Sequence, residues 1–310
     1  MSKRLKSNLC LILGAFIWGT AFVAQKMGTN VPPFTYTGIR LIIAAIALTP
    51  VVRLFSRGNV TGADYPAPDG STDPKAGRKL LLRGGIQCGI FMFLGTFLQQ
   101  AGLSYIGAGK SGFITATYTV LVPVAAVFLG KKIRPIVWVG AAVCLAGLYL
   151  LCMMGEEMTI GRGDILTLLC AFAFMGQILS IDHFSALVSG VRLSRLQALT
   201  AGILSLIGMV LFEKPDLHEI LIAWGPILYG GVLSGGVAYT LQILGQKHSE
   251  PTEATIIMSL ESVFSVLAGA LVLHEVMEPA QYLGCILIFS AILMTQIQPR
   301  RKVPRAGGKV

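Results

Sequence analysis

Charge is what this 310-residue sequence has least of: only 13% of its residues are Asp, Glu, Lys or Arg, against about 25% in soluble globular domains. So few polar side chains cannot cover a water-facing surface, which excludes an ordinary soluble domain. Acidic residues are the scarcer sign, 15 against 25 basic ones, for a net charge of +10. A basic excess suits nucleic acid when it gathers on one soluble face. Here it is scattered between apolar runs, so no nucleic-acid partner is expected. The six cysteines (Cys10, Cys88, Cys144, Cys152, Cys170 and Cys285) all fall in apolar runs, and no C-x-x-C pair occurs. They read as small apolar helix residues. His183, His218, His248 and His274 show no ligand spacing, so neither a metal nor a cofactor is expected. Gly109-Lys110-Ser111 imitates the end of a phosphate-binding loop, but Ser104 stands where the motif needs its first glycine. Nucleotide-driven chemistry within the chain is thereby set aside. After Lys3, Arg4 and Lys6 the first apolar run reaches about Ala24 without an A-x-A site. That is longer than the roughly 7–15 residues of a signal-peptide core, so it reads as an uncleaved span.

What the chain has is apolar length: 54% hydrophobic residues and a mean hydropathy of +0.72. One helical crossing needs roughly 20 mainly apolar residues. Runs of that kind cover 8–27, 34–54, 81–103, 107–129, 135–154, 163–182, 192–212, 222–244, 252–273 and 279–298. They are continuous rather than alternating, which favours helices over barrel strands. The reading is an all-α integral membrane protein of ten transmembrane helices. If the N-terminus is cytoplasmic, 20 of the 25 basic residues fall in inside segments, and only Arg162 and Lys214 in outside loops. This asymmetry predicts a multi-pass protein of the inner or plasma membrane with both termini cytoplasmic. The longest connection, 57–79, is rich in Gly, Pro and Asp and reads as a flexible loop. Its Asn59-Val60-Thr61 sequon would lie on the cytoplasmic side. Residues 300–310 form a basic tail suited to a topology signal or to anionic lipid.

The two halves, 1–155 and 156–299, can be laid on each other. Gly19 faces Gly176 and Arg40 faces Gln197 at an offset of 157; Leu98-Gln99 faces Leu241-Gln242 at 143; Pro135 and Gly140 face Pro279 and Gly284 at 144. The long first-half loop accounts for the change of offset. Five spans per half is odd, so the repeats enter the membrane in opposite directions, as in many secondary transporters.

Few polar groups lie deep in the spans. Glu261 is near the middle of the ninth, where an ionised side chain costs about 2.5–3.5 kcal/mol on insertion scales. It should face a cavity or a partner. Two roles stand: a protonatable or substrate-contacting group, or a structural carboxyl that is neutral or paired with Arg40 or Lys110. Arg40, about two turns into the second span, can grip a carboxylate in bidentate fashion or snorkel and pack. Lys26 and Lys110 lie near outer ends and read as snorkelling, and Asp182 as interfacial. Ser111, Thr115 and Tyr118 share a face of the fourth span, and Gly231, Gly235, Tyr239, Gln242 and Gln246 a face of the eighth. Gln87, Gln99, Gln100 and Gln177 add amides. Such faces can line a cavity or serve close helix packing. Trp18 can stack on a substrate or pack against other helices.

Trp18-Gly19-Thr20-Ala21-Phe22, Pro32-Pro33-Phe34 and Gly38-Ile39-Arg40 resemble the first helices of the drug/metabolite transporter superfamily, EamA type. Gly112-Phe113-Ile114-Thr115 and Val122-Pro123-Val124 resemble its first-half fourth helix. Gln246-Lys247, Pro251-Thr252, Ser259-Leu260-Glu261 and His274-Glu275 resemble its second-half signature. The resemblance implies ten helices, cytoplasmic termini, and efflux or exchange of metabolites such as amino acids. Lys131 departs from the acidic residue often found at the end of the fourth helix. Ser262 departs from a frequent proline, which leads us to expect a straighter ninth helix. The expected function is a secondary transporter of a small metabolite or drug, with Glu261 as the candidate proton-coupling group, and not an enzyme. Its candidate cavity residues are Glu261, Tyr118, Tyr239, Gln242, Arg40, Trp18 and Thr115. A membrane enzyme acting on a lipid-linked substrate would need clustered acids or metal ligands near an interface, and a non-transporting receptor or assembly subunit is the other alternative.

Overall fold

In hydrocarbon a backbone N–H or C=O has no water to bond, and a helix satisfies both within one segment. The computed structural model is helical throughout its ordered elements, with no strand among the described residues, which are 3–56, 74–153, 160–272 and 278–296. The 57–73 part of the long loop, the Asn59 sequon, the His274-Glu275 pair, the junction of the two halves at 155 and the tail 300–310 lie outside them. The elements are α1 Lys3–Met27, α2 Pro33–Ser56, α3 Pro74–Leu103, α4 Ala108–Ala116, α5 Tyr118–Phe128, α6 Pro135–Cys152 and α7 Arg162–Ser185. They continue with α8 Gly190–Phe212, the short α9 Leu217–Ile222, α10 Trp224–Tyr229, a π-helical stretch Gly230–Ala238, α11 Tyr239–Gln246, α12 Pro251–Met258, α13 Leu260–Val272 and α14 Pro279–Gln296.

Among the described residues nine spans are long and apolar enough to cross a membrane, counting α4–α5 and α10–α11 as one each. The tenth crossing is α12–α13, interrupted at Ser259. Its residues 251–272 would rise about 33 Å as a helix, enough for a core about 30 Å thick. Asn8 Nδ2 donates to Gln296 Oε1 at 2.9 Å, so the first and last helices end on one face, as ten crossings require. The outer surface carries large apolar side chains such as Leu13, Phe16, Ile46, Phe172, Ile207 and Phe289. In water such a surface would aggregate; it suits acyl chains.

Three predicted spans are not single regular helices. The fourth breaks at Thr117, whose hydroxyl donates to Ile114 O at 2.6 Å, and Pro123 follows within α5. Side-chain bonding to the preceding turn competes with the helical ladder, and proline removes one donor. The ninth breaks at the matching place although its one proline, Pro251, stands at its first position. Ser259 donates to Thr255 O at 3.0 Å, and Ser262 N bonds Ser259 O at 3.2 Å. The expectation of a straighter ninth helix from Ser262 is therefore corrected. The eighth widens into a π-helix over its Gly230-Gly231 and Gly235-Gly236 pairs.

Helix packing follows the repeat. The second helices of the halves, α2 and α8, pack on each other, as do the fifth helices α6 and α14. The α3–α7 contact of one kind has its counterpart in α1 against the α10–α11 segment. At the α6–α14 crossing a Cβ on Gly147 would meet Gly284 O at 2.8 Å, and one on Gly284 would meet Gly147 O at 2.6 Å. Only glycine permits that approach.

Candidate functional site

The two helix breaks meet at the centre. The hydroxyls of Thr119 and Ser259 lie 3.0 Å apart, and Tyr118 donates its phenol O–H to Glu261 Oε1 at 3.2 Å. At an offset of 143 these last two are repeat mates, so the pseudo-two-fold axis runs between them. Beside them lies a cavity of about 40 Å³. All seven residues singled out above line it: Trp18, Arg40, Thr115, Tyr118, Tyr239, Gln242 and Glu261. The lining also contains repeat-related pairs, Gln99 with Gln242 and Thr115 with Met258. A site made from both halves at their shared axis belongs at the membrane midplane.

Glu261 reaches the cavity from the first turn of α13, and the break at Ser259 sets its direction. It is buried, and so is Arg40, at 6% and 2% exposure. Neither forms an ion pair among the described residues, so the pairing of Glu261 with Arg40 or Lys110 is not what the fold builds. Arg40 comes from α2 where that helix meets the π-segment; a Cβ on Gly231 would lie 2.7 Å from Arg40 O. Its guanidinium lies 5.4 Å from the Tyr36 ring centroid, and its Nε has no hydrogen-bond partner among the described residues. A cation–π contact gives about 0.5–2 kcal/mol, whereas burying a charge costs several kcal/mol even after relaxation. The balance is left for an anion to supply.

Amides complete the wall. Gln99 donates to Thr115 Oγ1 at 3.3 Å and Gln177 to Gln197 Oε1 at 3.3 Å. The side-chain oxygens of Gln25, Gln177 and Gln242 have no hydrogen-bond partner among the described residues. Trp18 stands edge-on to Tyr239, with centroids 5.0 Å apart. The pocket thus offers one cation, one carboxylate, several amides and an aromatic wall.

Other polar residues sit elsewhere. Gln87 donates to Ser180 Oγ at 3.0 Å and Gln100 to Gln25 O at 3.3 Å, both between helices. Gly231 and Gly235 serve the α2 contact, and Gln246 lies at the end of its helix. Ser111 is buried without lining the cavity. Phe22, Gln25, Phe174, Ile178, Ser234 and Met258 line it without having been singled out. Phe174, Ile178 and Met258 carry no signal apart from apolarity, and Phe22 none beyond its place in the Trp18–Phe22 motif.

Ion pairs stand at both membrane faces. On the face bearing the N-terminus, Glu253 accepts from Arg4 at 2.9 Å and from Arg134, and Lys131 pairs with Asp182. On the other, Lys110 pairs with Asp164 at 3.0 Å. Lys110 is buried and does not snorkel, which corrects the sequence expectation. Lys26 donates to Leu103 O at 3.1 Å and to Ile106 O at 3.4 Å, closing the end of α3 as a cation at a helix C-terminus does. Lys110 and Glu253 are themselves repeat mates at the 143 offset. Each begins the fourth helix of its half, at opposite faces and with opposite charge.

The sequence profile of the EamA-like transporter family matches residues 5–153 and 161–297, once for each half. The chain belongs to the EamA-like transporter family. It is similar to an uncharacterized transporter of Archaeoglobus fulgidus, 30% identical over 301 residues, covering 96% of this chain and 87% of that protein. It is also similar to the uncharacterized transporter YoaV of Bacillus subtilis, 25% identical over 309 residues, with 96% and 99% covered. The inner membrane transporter YedA of Escherichia coli K12 is 24% identical over 288 residues, with 90% and 87% covered. One solved crystal structure shares the fold, with a TM-score of 0.73 at 19% identity over 93% of this chain and 97% of that one. This EamA-family chain is thus a multi-pass membrane transporter in which each half supplies one member of each central pair.

Proposed function

We propose that this transporter exports a small zwitterionic metabolite of the amino-acid kind by alternating access. Arg40 binds the substrate carboxylate, while Glu261 and the amides of Gln25, Gln177 and Gln242 receive its ammonium group. One observation carries this: a guanidinium that is buried and has no ion pair among the described residues lines the same cavity on the repeat axis as a buried carboxylate. Trp18 and Tyr239 form the wall against which a side chain packs. Glu261 also serves as the proton-coupling group. The ion pairs at the two faces act as gates, and the termini are cytoplasmic, in keeping with the basic residues on their face. The test is flux in proteoliposomes of purified protein, screened across amino acids, amines without a carboxylate and cationic dyes, with and without an imposed pH gradient. Saturable flux of zwitterions, with loss when either charged group of the substrate is removed, is the expected result. Flux of cationic dyes alone would overturn it.

A further inference from the structure

We infer that this transporter holds an anionic phospholipid in the groove between α2, α3 and α8, on the face that bears the N-terminus. The groove is lined by Arg78, Arg192 and Arg195 together with Val52, Leu81, Leu82, Leu196 and Leu199. Among the described residues no acidic side chain lines it. The order along the helices is that of an amphiphile. On α3, Arg78 comes first and Leu81 and Leu82 follow one turn deeper. On α8, Arg192 and Arg195 come first, then Leu196 and, a further turn in, Leu199. A turn is about 5.4 Å of depth, so guanidinium groups ring the level of a headgroup and aliphatic side chains the level of the first acyl carbons. Leu82 is 42% exposed, and the buried Nε of Arg195 has no hydrogen-bond partner among the described residues.

Guanidinium forks suit phosphate oxygens in bidentate fashion. Basic pockets between membrane helices on the cytoplasmic side are where anionic headgroups bind. The groove lies apart from the central cavity and shares no lining residue with it. It does, however, span α2 and α8, which bring Arg40 and its repeat mate Gln197 to the centre. A lipid seated there braces the contact between the halves.

The test is native mass spectrometry of the full-length protein in detergent, titrated with phosphatidylglycerol, phosphatidylcholine, glycerol 3-phosphate or inorganic phosphate. Phosphatidylglycerol should bind at least about ten-fold more tightly than phosphatidylcholine, and each Arg→Gln change at 78, 192 or 195 should weaken it by about ten-fold. Because these arginines also set topology, the triple Arg→Lys variant is the companion. It keeps the charge that directs insertion and loses the fork, so its preference for phosphatidylglycerol should fall several-fold while the protein inserts normally. Equal binding of the two lipids, or an unchanged preference in a correctly inserted triple Lys variant, would overturn the assignment. Equal binding of free phosphate or glycerol 3-phosphate would also overturn it, in favour of a site for a water-soluble anion.

Discussion

Arg40 and Glu261 illustrate how much can hang on one side chain when water is excluded. A hydrogen bond to a charged group contributes about 1.5–3 kcal/mol, or roughly ten- to a hundred-fold in affinity. Arg40→Gln should therefore raise the KM for a carboxylate-bearing substrate by at least about ten-fold, read in proteoliposome flux. Arg40→Lys keeps the charge but not the fork, and should recover only part of it. Glu261→Gln should abolish most flux and flatten its pH dependence while leaving expression and insertion intact. Normal flux with an unchanged pH profile would remove Glu261 from the mechanism. Tyr118→Phe deletes the O–H that Glu261 accepts and should show a milder loss, with the pH profile displaced rather than flattened. That Glu261 faces a cavity was legible from sequence, since an acid in an apolar run has few tolerable surroundings. Its partner was not: Tyr118 lies 143 residues away, and neither Arg40 nor Lys110, the two cations in reach by sequence reasoning, pairs with it.

At the scale of the element, the paired breaks at Thr117 and Ser259 decide where the central side chains point. The approach of α1 to α13 is the tightest of the supports: a Cβ on Gly19 would lie 2.6 Å from Glu261 O and 2.9 Å from Ser265 N. Those are backbone atoms and cannot turn aside. Gly19→Ala should therefore push α13 outward, lower thermal stability by about 1–3 kcal/mol, and depress flux in protein that still inserts. Thermal unfolding in detergent beside proteoliposome flux checks it; an unchanged melting temperature would mean α1 and α13 do not meet this closely. Ser259→Ala removes a hydroxyl from the crossing of the two breaks and tests whether that contact holds the halves in register. Hydropathy revealed these spans as lengths of chain but not their interruptions. Thr and Ser bond to the preceding turn in many unbroken helices, so the residues alone do not locate a break.

Across the whole molecule, the ion pairs at Glu253 and at Lys110–Asp164 stand at opposite faces, where the proposed alternating access has them act as gates. Weakening one should favour opening on its own side. In a protein carrying Ser234→Cys in the cavity wall, Glu253→Gln should speed labelling by a membrane-impermeant thiol reagent from the N-terminal face. Asp164→Asn should speed it from the opposite face. Right-side-out and inverted vesicles distinguish the two, and equal labelling from both sides would show that these pairs are not gates.

The sequence by itself determined the solvent, the secondary structure, the number of crossings and the two-fold plan. Each of these follows from local composition or from self-similarity at a fixed offset, and needs no knowledge of which helices touch. It also marked the deep polar residues, because such groups are costly in hydrocarbon wherever they point. Only the tertiary structure decided their grouping. Gln99 and Gln177 face the cavity whereas Gln87 and Gln100 tie helices together, and Lys110 pairs with Asp164 rather than reaching for the surface. Phe22 and Gln25 were indistinguishable from packing residues until α1 was set against its neighbours. Which face of a helix turns inward depends on the partners it packs against, and in an apolar solvent the hydrophobic pattern that would mark the inward face is missing.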